Sequence, residues 1–505
     1  MSPPRLHQED HSPGLFAGAA GPLLGTADSA EAPPFEGSAG GSGRGSAAVQ
    51  RAARLPRLLV LLFAIAAGLS VANVYYAQPL LDALALEFGI ADASIGIVVT
   101  ATQVGCALAL VFVVPLGDII DRRRLILVQL ACLVLVLAGV ALSPSPSWML
   151  VGMLAVGLLG TAMTQGLIAY AASVAAPTER GSVVGAAQSG VVIGLLLART
   201  VSGSVADLAG WRAVFGTAGV LAVLMWAVLY CVLPVVSKAG TSKAGTSKAG
   251  TSKAGTSKAG TSKAGGSKAT GLNTAAASCC ELASGASLRA SPMASASPPV
   301  AARLGYLALI TSTFSLIARD RVLQTRGMLA LLMFAAFNIF WTALVLPLSA
   351  PPYSLSHSQV GAFGLVGVIG ALAAARAGHW ADRGAGQRTT GIALGLMLVS
   401  WLLMAGMAHS LWWLVIGIVL LDLGGQAIHV TNQSMIFSAQ SGDAHSRMVA
   451  GYMLFYAVGS GLGAIASTAV FAVAGWMGVC VLGAGVTLIA LAFWAITLPR
   501  DARVG

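Results

Sequence analysis

The sequence predicts an all-α integral membrane protein, with twelve transmembrane helices in two bundles of six. Three observations carry that reading. Charged residues are 9% of the 505 and hydrophobic residues 56%, with a mean hydropathy of +0.82, whereas a soluble globular domain carries about 25% charged residues. Twelve apolar runs each approach the roughly 20 residues needed to cross the hydrocarbon. A long polar stretch of low complexity divides them into six and six.

Residues 1–54 form the N-terminal tail. Positions 1–50 are rich in Gly, Ala, Ser and Pro without helical period, and are expected to be disordered. They are not a signal peptide, since the first apolar run begins only near Leu58. The N-terminal bundle is expected over 55–235, with crossings at about 58–81, 94–116, 125–142, 148–171, 182–206 and 213–235. The C-terminal bundle is expected over 323–499, with crossings at about 326–349, 358–377, 389–408, 412–437, 447–470 and 475–498, followed by a tail over 500–505. The 61 glycines suit closely approaching helices.

Between the bundles lies a linker, 236–322, that opens on "SKAGTSKAGTSKAGT" repeated with period five. Such a sequence buries nothing and reads as a flexible spacer. Its lysines could also rest on anionic lipid at about 1 kcal/mol each. Residues 304–325, "LGYLALITSTFSLIARDRVLQT", mix apolar and charged positions. They predict an amphipathic helix along the membrane face at the end of the linker, or a short extension of the seventh crossing.

The net charge of +11 is no sign of nucleic-acid binding, because all seven lysines fall between Lys238 and Lys268 and the remainder carries only +4. Arginines set the orientation. With residue 50 inside, the inward loops hold Arg122, Arg123, Arg124, Arg180, Arg383, Arg388 and Arg447, with Arg500 and Arg503 after the last crossing. The outward loops hold Arg212 beside Asp82, Glu87, Asp92 and Asp207. Both termini are therefore expected in the cytoplasm.

Cys106, Cys132, Cys231 and Cys480 lie in apolar segments and Cys279–Cys280 in a polar one; none has metal-ligand spacing. No nucleotide-binding loop and no Ser/His/Asp arrangement occurs. Catalysis, primary pumping, cofactors and metals are not expected. Six crossings, an inward linker and six crossings instead suit a secondary transporter whose halves rock against each other.

Two loops mark the halves. "PLGDIIDRRRLI" places Gly117, Asp118, Asp121 and Arg122 at one inner boundary, and "AGHWADRGAGQR" places Gly378, Asp382 and Arg383 at the corresponding one. Both read G-x-x-x-D-R. Anchoring explains the arginines but not the acids, which contribute little to orientation. An Asp–Arg pair there is expected to bridge neighbouring helices and act as a conformational switch. Twelve crossings, an inward linker and this doubled motif resemble the major facilitator superfamily across about 55–499. "SVANVYYAQPLL", "LLLARTVSGSVADLAGWRAVF" and the first loop look like its bacterial twelve-span drug–proton antiporter and sugar-efflux-like branch. The sequence departs from that branch where it has Arg124, Ala162 and Ala198-Arg199. The resemblance implies a central cavity lined by the first, fourth, seventh and tenth crossings.

The tenth crossing contains "VLLDLGGQAIHVTNQS", in which Asp422, Gln426, His429 and Gln433 share one helix face. A charge at the bilayer centre costs roughly 2.5–3.5 kcal/mol on insertion scales, so this stripe is expected to face a cavity or another helix. A carboxylate deprived of water holds its proton and releases it when water arrives, which makes Asp422 the candidate for proton coupling. His429, whose ordinary pKa is near 6.5, is a candidate relay. Arg199 is a permanent intramembrane charge that needs a partner: a carboxylate such as Asp207, helix carbonyls or an anionic substrate. Asn73, Tyr75, Tyr76 and Gln78 in the first crossing, Thr161 and Gln165 in the fourth, and Asn338 and Trp341 in the seventh add amides and aromatics. With Gln426 and Gln433 they suggest a mixed pocket for a weakly polar or amphiphilic ligand, although helix packing explains each singly.

The expected function is transport of small organic molecules across a bacterial inner membrane by alternating access, as proton-coupled efflux. The alternatives are an uptake symporter or facilitator, or a receptor that uses the lysine linker. The expected partners are a small-molecule substrate and the lipid bilayer, with the chain acting as a monomer.

Overall fold

The computed structural model describes residues 55–176, 178–233, 305–439 and 445–498. The tails, the lysine repeat, Cys279–Cys280 and the side chains of Arg376, Gly378 and Asp382 lie outside the described residues. Among the described residues every regular element is helical. In chain order these are α1 (Arg57–Tyr75), α2 (Leu81–Phe88), α3 (Ile97–Leu108), α4 (Leu116–Ile119), α5 (Arg122–Ala141), α6 (Pro146–Val174), α7 (Arg180–Ala209) and α8 (Trp211–Val232). After the linker come α9 (Tyr306–Arg319), α10 (Arg321–Ala343), α11 (Val345–Ser349), α12 (His357–Trp380), α13 (Gly386–Ala405), α14 (Leu411–Ala439) and α15 (His445–Thr497).

Among the described residues, ten stretches are long and apolar enough to cross a bilayer. One of them, within α15, is divided at Gly475, whose φ of 58° and ψ of −158° break the helical path. Only glycine adopts such angles readily. With α12 and the two arms of α15 counted separately, the ten become the expected twelve. Large apolar side chains such as Leu58, Leu135, Leu402 and Val473 stand exposed on the outside of the bundle, as a lipid-facing surface requires.

Local chemistry fixes several boundaries. The first crossing is not the continuous helix expected: Pro79, which has no N–H to donate, sits in a single 3-10 turn at Gln78–Leu80 between α1 and α2. Asp320 separates α9 from α10, accepting the Leu323 N–H at 2.8 Å as an N-cap. Residues 304–325 are therefore a helix of their own followed by the start of the seventh crossing. Asp121 caps α5 in the same way, through the Arg124 N–H at 2.9 Å.

Small residues set the interhelical distances. α1 crosses α7 at Gly68, Gly190 and Gly194; a Cβ at Gly190 would overlap the Ala64 carbonyl, and one at Gly194 the Gly68 carbonyl. Among the contacts that join the first six crossings to the last six, two are close helix crossings built on glycine. α3 meets α15, where Thr100 Oγ1 donates to the Gly461 carbonyl at 2.8 Å and the Gly96 N–H to Thr468 Oγ1 at 3.2 Å. α7 meets α12, where Thr200 Oγ1 donates to the Gly361 carbonyl at 2.9 Å and a Cβ at Gly203 would overlap the His357 carbonyl. Both contacts lie toward the end of the bundle that carries Asp82, Glu87 and Asp207, here called the acidic end. The opposite, basic end carries Arg122–Arg124 and Arg447.

Overpacking a tight contact costs about 1–3 kcal/mol. Gly190→Ala is therefore expected to lower the melting temperature in detergent, whereas Gly185→Ala, with open space around its added Cβ, should melt like wild type. Equal melting of the two variants would contradict the α1–α7 crossing.

Candidate functional site

The most unusual chemistry lies where α7, α10, α12 and α14 converge. Asp422, in the middle of α14, is 3% exposed, and neither carboxylate oxygen receives a hydrogen bond. Its carboxylate lies against Gly367 of α12, where a Cβ would strike Oδ2. Arg199 of α7 is also 3% exposed and interacts electrostatically with Asp422. Its Nε donates to Gln78 Oε1 at 2.8 Å, and Gln78 Nε2 donates onward to Asn338 Oδ1 at 3.3 Å. The guanidinium carbon sits 4.1 Å from the Trp341 ring centre and 5.3 Å from that of Tyr75, within cation–π range. Arg199 Nη2 has no hydrogen-bond partner. A buried guanidinium and a buried carboxyl group thus lie within electrostatic reach while each keeps unmet hydrogen-bonding capacity. A void of about 10 Å³ borders Arg199, Gln78 and Trp341. Next to it the Tyr75 and Tyr456 hydroxyls hydrogen-bond to each other, joining α1 to α15.

The rest of the α14 stripe belongs to a second network. His429 Nδ1 meets the Tyr452 hydroxyl at 2.9 Å, its Nε2 meets Gln433 Nε2 at 3.2 Å, and its ring stands edge-on to Phe334 at 5.3 Å. Asp422 is buried whereas Gln426, His429 and Gln433 are half-buried, and Asp422 and His429 contact different neighbours. Close by is Arg326 of α10, 3% exposed, donating through Nη1 to Thr390 Oγ1 at 3.3 Å and Asn432 Oδ1 at 3.5 Å. In the sequence Arg326 stands at the first residue of its expected crossing, at the membrane boundary. The Asp320 cap, which starts α10 five residues earlier, is the signal that would have put it inside.

Arg199 does not pair with Asp207. That acid caps α12 instead, accepting the His357 N–H at 3.0 Å and the Ser358 N–H at 2.8 Å. The His357 ring lies between two acids, with Nδ1 3.1 Å from Asp207 Oδ1 and Nε2 3.1 Å from Asp82 Oδ1. Ionised carboxylates only accept, so both ring nitrogens must donate, and the imidazole bridging the two is the charged form. This bridge ties the first six crossings to α12 at the acidic end. No periodicity marks His357 in the sequence, and it was missed there. The neighbouring charged pair, Arg212 with Glu87 at 2.7 Å, lies within the first six crossings.

At the basic end the first G-x-x-x-D-R loop is wired differently from expectation. The ion pair is Asp118–Arg122 at 3.0 Å, while Asp121 serves as the α5 cap. Arg122 also donates to the Gly117 carbonyl at 3.0 Å and to the Ala169 carbonyl of α6 at 2.9 Å, so it bridges helices within the first six crossings. In the second loop Arg383 is exposed. A cavity of about 160 Å³ opens beside the first loop, bordered by Arg122, Gln129, Gln165, Leu309, Thr313 and Arg447. Helix α9 roofs it, fixed by the Tyr306 hydroxyl donating to the Phe112 carbonyl at 2.7 Å. Of the expected substrate-cavity residues Gln165 borders this space. Asn338 and Trp341 belong to the Arg199 cluster and Gln433 to the His429 network. Asn73 turns back to the Leu69 carbonyl at 2.7 Å, Tyr76 is buried, and Gln426 is half-buried.

The sequence matches the Major Facilitator Superfamily over residues 63–323 and 326–505. The chain belongs to that superfamily. It is 37% identical to the uncharacterized transporter YgaY of Escherichia coli, across 86% of this chain and 94% of YgaY. In fold it is similar to a bacterial homolog of the human lysosomal transporter Spinster in an inward-facing, unoccupied conformation, with a TM-score of 0.60 at 12% identity over 88% of this chain and 97% of that one. The human organic anion transporter MFSD10 (TETRAN) gives 0.53 at 19% identity over 86% and 98%.

The His357 bridge has a definite pH dependence. Two carboxylates favour the imidazolium, so both bonds persist below the ordinary histidine range near 6.5, and one is lost as pH rises through the titration. A bond worth about 1 kcal/mol changes a two-state balance about fivefold. Spin labels at the exposed positions Leu208 and Val473, in a cysteine-replaced background, should therefore show a growing longer-distance population at the acidic end as pH rises. His357→Gln should show that population at every pH. A distance distribution insensitive to both would remove the bridge as a seal.

Proposed function

We propose that this superfamily member is a secondary active transporter that moves small organic molecules by alternating access, coupled to protons through Asp422. The observation that carries the reading is a buried carboxylate that makes no close hydrogen bond, set near the Trp341 indole and a buried arginine at the junction of α7, α10, α12 and α14. Such a group has no structural task that a leucine would not perform more cheaply. It gains a purpose if its proton is exchanged as water reaches it from alternate sides.

The arginine asymmetry supports a cytoplasmic basic end, with both termini inside and the protein in the bacterial inner membrane. On that orientation the described state is sealed outward, through the α3–α15 and α7–α12 contacts and the His357 bridge, with space beside Gln165 at the inner end. The two six-helix bundles, 55–235 and 323–499, are proposed as the rocking bodies. The Asp118–Arg122 loop and the loop of Gly378, Asp382 and Arg383 are proposed as switches at their inner ends. Export by antiport is supported by the resemblance of "SVANVYYAQPLL" and of the span-five segment to the efflux branch. A second reading, co-transport, draws on the unpartnered Arg199 Nη2. His429 is retained as a second titrating group, acting through Tyr452. Tyr75, Trp341 and Asn338 suit a ligand with an aromatic or amphiphilic body.

The test is flux in proteoliposomes under an imposed pH gradient, across a chemically diverse panel of compounds. Asp422→Asn is expected to abolish gradient-driven accumulation while leaving counterflow exchange near wild-type rates. Gradient-driven accumulation that survives in Asp422→Asn would overturn the coupling role.

A further inference from the structure

The charge bookkeeping of the Arg199 centre points to the chemical class of ligand. Among the described residues, the titratable and charged groups around Asp422 are Arg199 from α7, Tyr75 from α1 and Tyr456 from α15, with Cys106 of α3 beside the tyrosines. Arg199 is the one fixed charge in that set. With Asp422 ionised the centre is neutral. With Asp422 protonated it carries one uncompensated positive charge, buried among aromatic rings with an unpartnered N–H donor at Nη2. A buried cation without a counter-charge is unfavourable by several kcal/mol. Protonation therefore creates a demand for an anion at the place where the guanidinium has a free donor and the walls are Trp341 and Tyr75.

We infer that the Arg199 centre binds the carboxylate of a small organic anion, and that the anion and a proton on Asp422 occupy the centre together. The inference rests on reading this centre as the transport site, and it specifies the ligand class and the sense of the coupling. The carboxylate takes the place of Asp422 as the counter-ion of Arg199, with Nη2 as its first donor. Gln78 holds Nε and so fixes which edge of the fork faces the ligand. The void beside Arg199, about 10 Å³, has room for about one water, so the ligand enters in a state where the helices around it have parted. Gly367 is part of the design: its missing Cβ leaves room for the Asp422 carboxylate to sit near Arg199 without touching it. Cooperative binding of an anion with a proton is the linkage of co-transport. Competition between ligand and proton, which exchange requires, would follow instead if the ligand were a cation seated on Asp422.

The test uses the full chain in lipid nanodiscs with formate, acetate and benzoate as probes, so that ligand size excludes none of the answer. Calorimetry in two buffers of different ionisation enthalpy counts the protons. At least one probe is expected to bind with net proton uptake, more weakly as pH rises. Arg199→Gln should weaken it roughly ten- to hundredfold, and Arg199→Lys less. Asp422→Asn should still bind, but without proton uptake. Each variant is first required to elute as a single species and to melt like wild type. Absence of binding by all three probes to wild type, or binding without proton uptake, overturns the inference. If binding is absent while Asp422→Asn still abolishes gradient-driven flux of another compound, the transport reading stands and the anion assignment alone falls.

Discussion

An arginine and an aspartate are buried in the centre of an apolar bundle, and neither completes the other. Most of the molecule's unusual features converge on that condition. Direct pairing would give a stable bridge that neither a proton nor a ligand could easily open. Full separation would leave two isolated ions in a medium that does not tolerate them. The sequence holds them between these limits with particular groups. Gln78 takes one edge of the guanidinium, Trp341 and Tyr75 take its faces, and Gly367 leaves a recess for the carboxylate. Each is a weak constraint, and together they keep the two groups within electrostatic reach while Arg199 Nη2 and the Asp422 oxygens keep unspent hydrogen-bonding capacity.

The fold itself was legible because lipid imposes it. Without water in the hydrocarbon, every crossing must be helical and apolar, so the twelve runs and the midpoint linker could be read directly from composition. Asp422 and Arg199 were legible for the same reason, as charges where charges are expensive. What the sequence hid was partnership. Asp207 was the natural partner for Arg199 by proximity along one helix, but eight residues of helix span roughly 12 Å at 1.5 Å each, and Asp207 finds the free N–H groups that open α12 instead. The Asp of the first G-x-x-x-D-R motif likewise goes to a helix N-terminus, leaving Asp118 to pair with Arg122. In both places the unsatisfied donors at a helix start outcompete the arginine for the acid. His357 gave no warning, because its role depends on two acids that are distant in sequence.

The two ends of the bundle differ in kind. At the acidic end, crossings from opposite halves of the chain are joined by backbone carbonyls, hydroxyls and one shared imidazole, at separations that only glycine permits. At the basic end, Arg122 satisfies groups within the first six crossings, and the chain adds α9 as a roof over a cavity. Among the described residues, the bonds between the two halves are concentrated at the centre and the acidic end.

The same seam also connects the buried charges to the acidic-end closure. Along α12, Gly361 meets the Arg199 carbonyl, Gly364 meets the Arg199 and Leu196 side of α7, and Gly367 meets the Asp422 carboxylate. One turn earlier, His357 lies against Gly203 and binds Asp82 and Asp207. One row of small residues on one helix therefore touches the closure, the arginine and the acid in succession. A close-packed seam of this kind has little room for gradual deformation. Under the proposed mechanism, drawing Arg199 toward a bound anion, or letting Asp422 swell toward water, displaces a group on which α12 rests. On that mechanism α12 couples occupancy of the centre to the α7–α12 part of the acidic-end closure, while the α3–α15 hydrogen bonds must be broken separately.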